Sequence, residues 1–235
     1  AGRGDLVEEQ VAALLNEDPW EWRAVWLSGL YALRRGDTGA ARAAMNAVYG
    51  QVPGELAPKL ALAVACERSG EPDVAEALYT ACARTDAGYL ALSAFGIERI
   101  RRAHGDLDGA IGALDLIPAT SGAFPLARRM RAGLLAGSGR GLVALADALR
   151  SISTVTIEPE DRSALVAEVY AEALKIVKDT GPQPGLRIGS QPATEPDLRD
   201  GLERAYRDLA AHASTRAEKI RLVDQANQVR RWTLL

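Results

Sequence analysis

The chain has 235 residues, 48% of them apolar, with 28 basic and 31 acidic side chains for a formal charge of -3. That is ample material for a hydrophobic core and excludes a disordered or collagen-like chain. The even charge balance excludes the broad basic surface of a general nucleic-acid or membrane-surface binder, and Arg, Glu or Asp interrupts every apolar run short of a membrane span.

The segment Ala1-Gly2-Arg3-Gly4 opens without Met and without an export signal, and reads as a piece cut from a longer protein. Over residues 5–17, Leu6, Val7, Val11, Leu14 and Leu15 form one apolar stripe, so residues 1–19 are predicted to be an N-terminal cap helix. From residue 20 onward a repeat governs the pattern. A glycine ends a helical stretch at Gly36, Gly70 and Gly105, each followed by an acidic residue, and Gly139 continues the series at spacings of 34, 35 and 34. Five residues after each stands an alanine, namely Ala41, Ala75, Ala110 and Ala144. Seven residues before, three of the four units carry a small residue: Gly29, Ala63 and Ala132. Such a unit is a helical hairpin, because Gly permits the left-handed backbone that closes one helix and the small residues let the two helices cross closely.

The period and these positions resemble the tetratricopeptide repeat. Residues 22–55 fit best, with Gly29, Gly36, Ala41, Met45 and the exit Pro53 in place, while Val25, Ser28 and Ala32 occupy slots for larger signature residues. The second unit places Leu62, Ala63, Gly70, Ala75 and Tyr79. In the third, Glu98 takes the slot for a small residue, and in the fourth Ala148 takes a slot for a large one. Residues 20–151 therefore hold about four repeats. Residues 151–157 form an extended connector, and Pro159 with Glu160-Asp161 opens a long amphipathic helix. Three prolines and three glycines make 180–194 a loop, and 195–211 and 214–227 are a final helical pair, so 159–230 form a C-terminal helical cap. The predicted fold is all-α, a right-handed superhelical solenoid of tetratricopeptide-like hairpins with capping helices, built as one domain over residues 1–235.

Chemistry-bearing residues are few. Cys66 and Cys82 lie in alanine-rich helical patterns and read as core, and His104 reads as a helix-end residue against the macrodipole. Glycine-rich nucleotide loops, kinase catalytic motifs, a GxSxG elbow and HExxH do not occur, so no catalytic, cofactor or metal residue is predicted. The two unpaired cysteines and the absence of an export signal fit a cytoplasmic setting.

The strings Trp20-Glu21-Trp22-Arg23-Ala24-Val25-Trp26, Pro53-Gly54-Glu55-Leu56-Ala57-Pro58-Lys59-Leu60 and Leu222-Val223-Asp224-Gln225-Ala226-Asn227-Gln228-Val229-Arg230 are similar to the C-terminal repeat domain of the actinobacterial serine/threonine protein kinase G family. The resemblance runs from about Leu6 to Arg230 and departs in the 180–194 loop. It implies a parent protein with an upstream kinase domain, dimerisation through the repeat domain, and a forkhead-associated-domain regulator as the parent's substrate. This chain is then the non-catalytic interaction and regulatory module; the alternative is a stand-alone tetratricopeptide adaptor that binds a partner's peptide segment.

In the repeat's geometry, positions two, five, nine and twelve of each first helix line a concave groove. The candidate groove residues are Arg23, Trp26 and Leu30 from the first unit, Arg99 and Arg102 from the third, and Arg129 from the fourth. Aromatics anchor interfaces and Arg grips carboxylate or phosphate in a fork, so an acidic or phosphorylated segment is the expected guest. The competing expectation is structural: Trp26 and Phe95 pack between hairpins, and Arg99, Arg101 and Arg102 form a solvated face.

Overall fold

In a computed structural model, residues 3–231 are described, with side chains from residue 9 onward. The turn glycines act as their spacing predicts. Gly36, Gly70, Gly105 and Gly139 all have positive φ, at 77°, 84°, 77° and 66°, a backbone region that an L side chain enters only at a cost. In two of the turns the acid after the glycine caps the next helix: Asp37 accepts from the Ala40 amide at 3.0 Å and Asp106 from the Gly109 amide at 2.9 Å. Glu71 makes no such bond, and there Pro72 at the first helical position begins the helix.

The chain divides into two compact units, one ending at Ile117 and the other beginning at Pro118. The first holds α1 (Arg3–Glu17) and three hairpins: α2 (Trp22–Arg35) with α3 (Thr38–Gln51), α4 (Leu56–Arg68) with α5 (Pro72–Thr85), and α6 (Ala87–Ala103) with α7 (Leu107–Asp115). In the cap helix α1, Val11 is buried and Leu14 is exposed, while the side chains of Leu6 and Val7 lie outside the described residues. The core of this unit is made of small residues at the crossings, Ala41, Ala63 and Ala75 among them, filled out by Met45, Leu62, Cys66, Tyr79 and Ile97. At Gly29 a Cβ would stand 2.7 Å from Met45 Cε, so the small slot on α2 is what seats the large side chain on α3. Both cysteines are buried as predicted, and burial pushes both thiols up.

The second unit holds α8 (Phe124–Ala136) with α9 (Leu142–Ile152), the long α10 (Pro159–Thr180), and α11 (Glu195–His212) with α12 (Arg216–Val229). Its hairpin α8–α9 keeps the repeat contacts, with Ala132 and Ala148 fully buried and Ala144 nearly so. Residues 153–158 form the connector, where the Arg162 guanidinium donates to the Val155 carbonyl at 2.7 Å.

The 180–194 stretch is not the irregular loop predicted. It forms two antiparallel strands, β1 (Gln183–Ile188) and β2 (Gln191–Ala193), turned at Gly189 with φ 58° and irregular between Gln183 and Arg187. Its prolines suit an exposed, irregular two-stranded ribbon, whose central ladder is too short to be disrupted. Two fully buried side chains, Ile188 and Ala193, anchor the hairpin to the helices. A Cβ at Gly189 would lie 2.9 Å from Leu149 and 3.0 Å from the Tyr170 hydroxyl, so the turn itself packs tightly. Among the described residues this is the only sheet.

Candidate functional site

The groove arginines are engaged within their own units. Arg99 on α6 grips Glu67 on α4 through two bonds, Nε to Oε1 at 2.7 Å and Nη2 to Oε2 at 2.8 Å, and the Tyr79 hydroxyl donates to the same Oε2 at 2.6 Å. This fork ties the second hairpin to the third at positions that the repeat pattern assigns to the groove. Burial by itself would raise Glu67, but hydrogen bonds from Arg99 and Tyr79 and the charge of Arg99 outweigh it and hold the carboxyl below its usual range. Tyr79 is buried beside that carboxylate, and both effects push its phenol well up. The Glu67 bond also raises Arg99. The Tyr79 ring fits only because α6 offers Gly96: a Cβ there would come 2.5 Å from the ring.

Arg102 donates from Nε to Glu98 at 2.7 Å, and Arg129 on α8 pairs with Asp161 on α10 at 2.8 Å. Glu98 is only 1% exposed, so the charged residue in the third unit's small slot is buried with Arg102 as its counter-ion. Arg101, by contrast with the solvated reading, links α6 to Glu76 of α5 through two bonds of 2.9 and 2.7 Å. These pairs balance the positive charge that an acidic guest would need.

An open position lies at the other end of the first unit. Trp22 and Trp26 of α2, Val52 at the end of α3, and Glu55, Ala57 and Pro58 at the start of α4 line a cleft of about 380 Å³. Both indoles are half-buried, and Trp26 packs against the core of the unit, as the structural expectation has it. Leu30, one turn farther along α2, is 40% exposed. Arg23 turns its guanidinium over the Trp22 ring, 4.7 Å from the centroid, and reaches Glu21 at 3.3 Å. Of the predicted groove residues, the structure places Arg23, Trp26 and Leu30 on α2, with Arg23 and Leu30 exposed and Trp26 half-buried against the core, and Arg99 and Arg102 on α6. Arg129 belongs to the second unit.

Sequence reasoning did not select Trp22, Val52, Glu55 or Pro58. The signal was present in the repeat itself, since Glu21 and Glu55 are 34 residues apart and both precede a first helix. A second cleft, about 280 Å³ in the second unit, is lined by Phe124, Arg128, Arg131, Asp147, Arg150 and their neighbours. Arg128 stacks on Phe124, Arg131 bonds to Ser151 and Arg150 pairs with Asp147, so this basic cleft is internally engaged. Among the described residues no cluster of His, Cys, Asp or Glu is arranged to hold a metal ion, and no helix is long and apolar enough to cross a membrane.

A family model described as the protein kinase G tetratricopeptide repeat matches residues 1–233. The chain belongs to this family. Two curated relatives are serine/threonine-protein kinases PknG: that of Mycobacterium leprae (strain TN) is 34% identical over 233 residues, and that of Mycolicibacterium smegmatis is 33% identical over 215. The alignments take in 97% and 90% of this chain but only 30% and 28% of the relatives, so the chain spans less than a third of the kinases it matches. A crystal structure of the APC/C hetero-tetramer Cut9-Hcn1 matches 97% of this chain and 43% of that chain, with a TM-score of 0.51 at 14% identity. That likeness concerns fold alone and agrees with the all-α hairpin architecture.

Proposed function

We propose that this chain is the non-catalytic interaction module of a protein kinase G-type serine/threonine kinase, with phosphoryl transfer carried out by a kinase domain outside these residues. In this reading it works in the cytoplasm, joins two copies of the parent, steadies or restrains the kinase domain, and recruits a forkhead-associated-domain substrate. Family membership supports the attachment to a kinase. The observation that carries the interaction role is the α2–α4 cleft itself, lined by the half-buried Trp22 and Trp26 with the exposed Leu30 one turn on, since large aromatics lining a concave surface are typical binding anchors.

The test uses the whole chain against the kinase domain and the forkhead-associated-domain protein from the same organism, by biolayer interferometry, with sedimentation run across the micromolar range. Saturable binding to one of these partners, or reversible dimerisation, is expected. Leu30→Asp should weaken it by about tenfold or more while the helical circular dichroism is retained. Absence of binding to either protein together with a strictly monomeric chain would overturn the proposal.

A further inference from the structure

The α2–α4 cleft differs in charge from the other positions predicted to line the groove. Where Glu67, Glu98 and Asp161 are each taken up by an arginine, the Glu55 carboxylate is not: the residue stands at the start of α4 with its amide on the Val52 carbonyl, and its side chain makes no capping bond, other hydrogen bond or ion pair among the described residues. Its repeat counterpart Glu21 shows the alternative, because that carboxylate accepts from the Arg23 amide at 3.1 Å and from the Arg23 guanidinium at 3.3 Å. Lys59 is one turn from Glu55 along α4, yet it lies over the Tyr49 ring, 5.8 Å from the centroid. The cleft therefore presents two indoles, a buried proline, a valine and one uncompensated carboxylate.

We propose, resting on the interaction role above, that this cleft receives an arginine or lysine side chain from an extended segment of a partner protein. The indoles and Pro58 suit the apolar stem, an indole face attracts a cation, and Glu55 supplies the counter-charge. The cleft already holds one such contact, because Arg23 lies over Trp22 and pairs with Glu21, which leaves Trp26 as the indole for the guest. Charge complementarity decides the class of guest: an acidic segment would bring its carboxylates against Glu55, and an uncharged apolar one would bury that carboxylate without a partner.

Four otherwise identical alanine-rich peptides, with a central Arg, Lys, Leu or Glu, would be titrated into the labelled 235-residue chain while the indole N–H signals are followed by NMR. Trp→Phe variants assign those signals, and Trp20, which is 78% exposed and outside the cleft, serves as the control. The Arg and Lys peptides are expected to move the Trp22 and Trp26 signals saturably, leaving Trp20 in place, and Glu55→Gln should weaken them about fivefold. The Glu55 side chain makes no hydrogen bond or ion pair within the chain, so the variant should keep the parent's melting temperature and remain interpretable. If the Leu peptide binds as tightly as Arg, or Glu55→Gln has no effect, the cationic guest is wrong while the interaction surface stands. If no peptide moves either indole, both readings of the cleft fail. If the indoles shift on concentrating the chain alone, the occupant is a second copy and the proposal falls.

Discussion

Glu67 shows how one residue can belong to a groove position and to the framework at once. Its carboxylate accepts from Arg99 and from Tyr79, and it is the only described group that links a buried phenol to a half-exposed guanidinium across two hairpins. The lowered Glu67 value means that the unfolded chain takes up the proton first. Its contribution is therefore present above the ordinary carboxylate range near about pH 4 and is lost as pH falls through the lower folded value. Tyr79 has the opposite sign: its raised value leaves stability intact below about pH 10 and removes it above, where the unfolded phenol ionises first. A plot of melting temperature against pH should show both limbs. Tyr79→Phe is expected to cost about 1 kcal/mol at neutral pH and to flatten the alkaline limb, and Glu67→Gln to flatten the acid limb. An alkaline limb unchanged by Tyr79→Phe would show that the phenol is not the group responsible.

At the scale of helices, the contacts are set by which positions lack a side chain. Gly29 occupies the repeat's signature small slot, and an added Cβ there would meet first the tip of Met45, a side chain that can move, and then the Ala44 Cβ at 3.1 Å. Gly96 has no place in the repeat pattern, and its neighbour is the ring of Tyr79, which is buried and pinned through its hydroxyl. Chemical denaturation should accordingly rank Gly96→Ala as the more damaging, at about 1–3 kcal/mol, and Gly29→Ala below about 1 kcal/mol. The reverse order would mean that Tyr79 can leave its position without loss. In the third unit Glu98 fills the small slot, and a buried carboxylate there is tolerable only with Arg102 beside it.

For the molecule as a whole, each compact unit has its own buried residues: Met45, Leu62, Tyr79 and Ile97 in the first, and Leu149, Val169, Leu198 and Leu202 in the second. Repeat chains gain stability mainly between neighbours, and we propose that the 235 residues unfold as one cooperative body. Scanning calorimetry reads this directly. Equal calorimetric and van't Hoff enthalpies over a single transition are expected, and two resolved transitions would divide the chain at about Ile117. The chain spans less than a third of the length of the PknG kinases it matches.

The sequence by itself determined the hairpins, since helix closure is local: left-handed glycines at a 34-residue period, alanines at the crossings and the Pro159 helix start all act over a few residues. It also determined the family, through Trp20–Trp26 and the Pro53–Leu60 segment. Tertiary structure decided the rest, because it depends on residues distant in the chain. The proline- and glycine-rich 180–194 stretch became a hairpin only because helices of the second unit bury Ile188 and Ala193. The arginines at groove positions became internal ion pairs because carboxylates 32 residues away, Glu67 for Arg99 and Asp161 for Arg129, stack beside them. Glu55, which composition and spacing marked no differently from Glu21, was left as the carboxylate facing the cleft because no cation on α3 or α4 folds back to meet it.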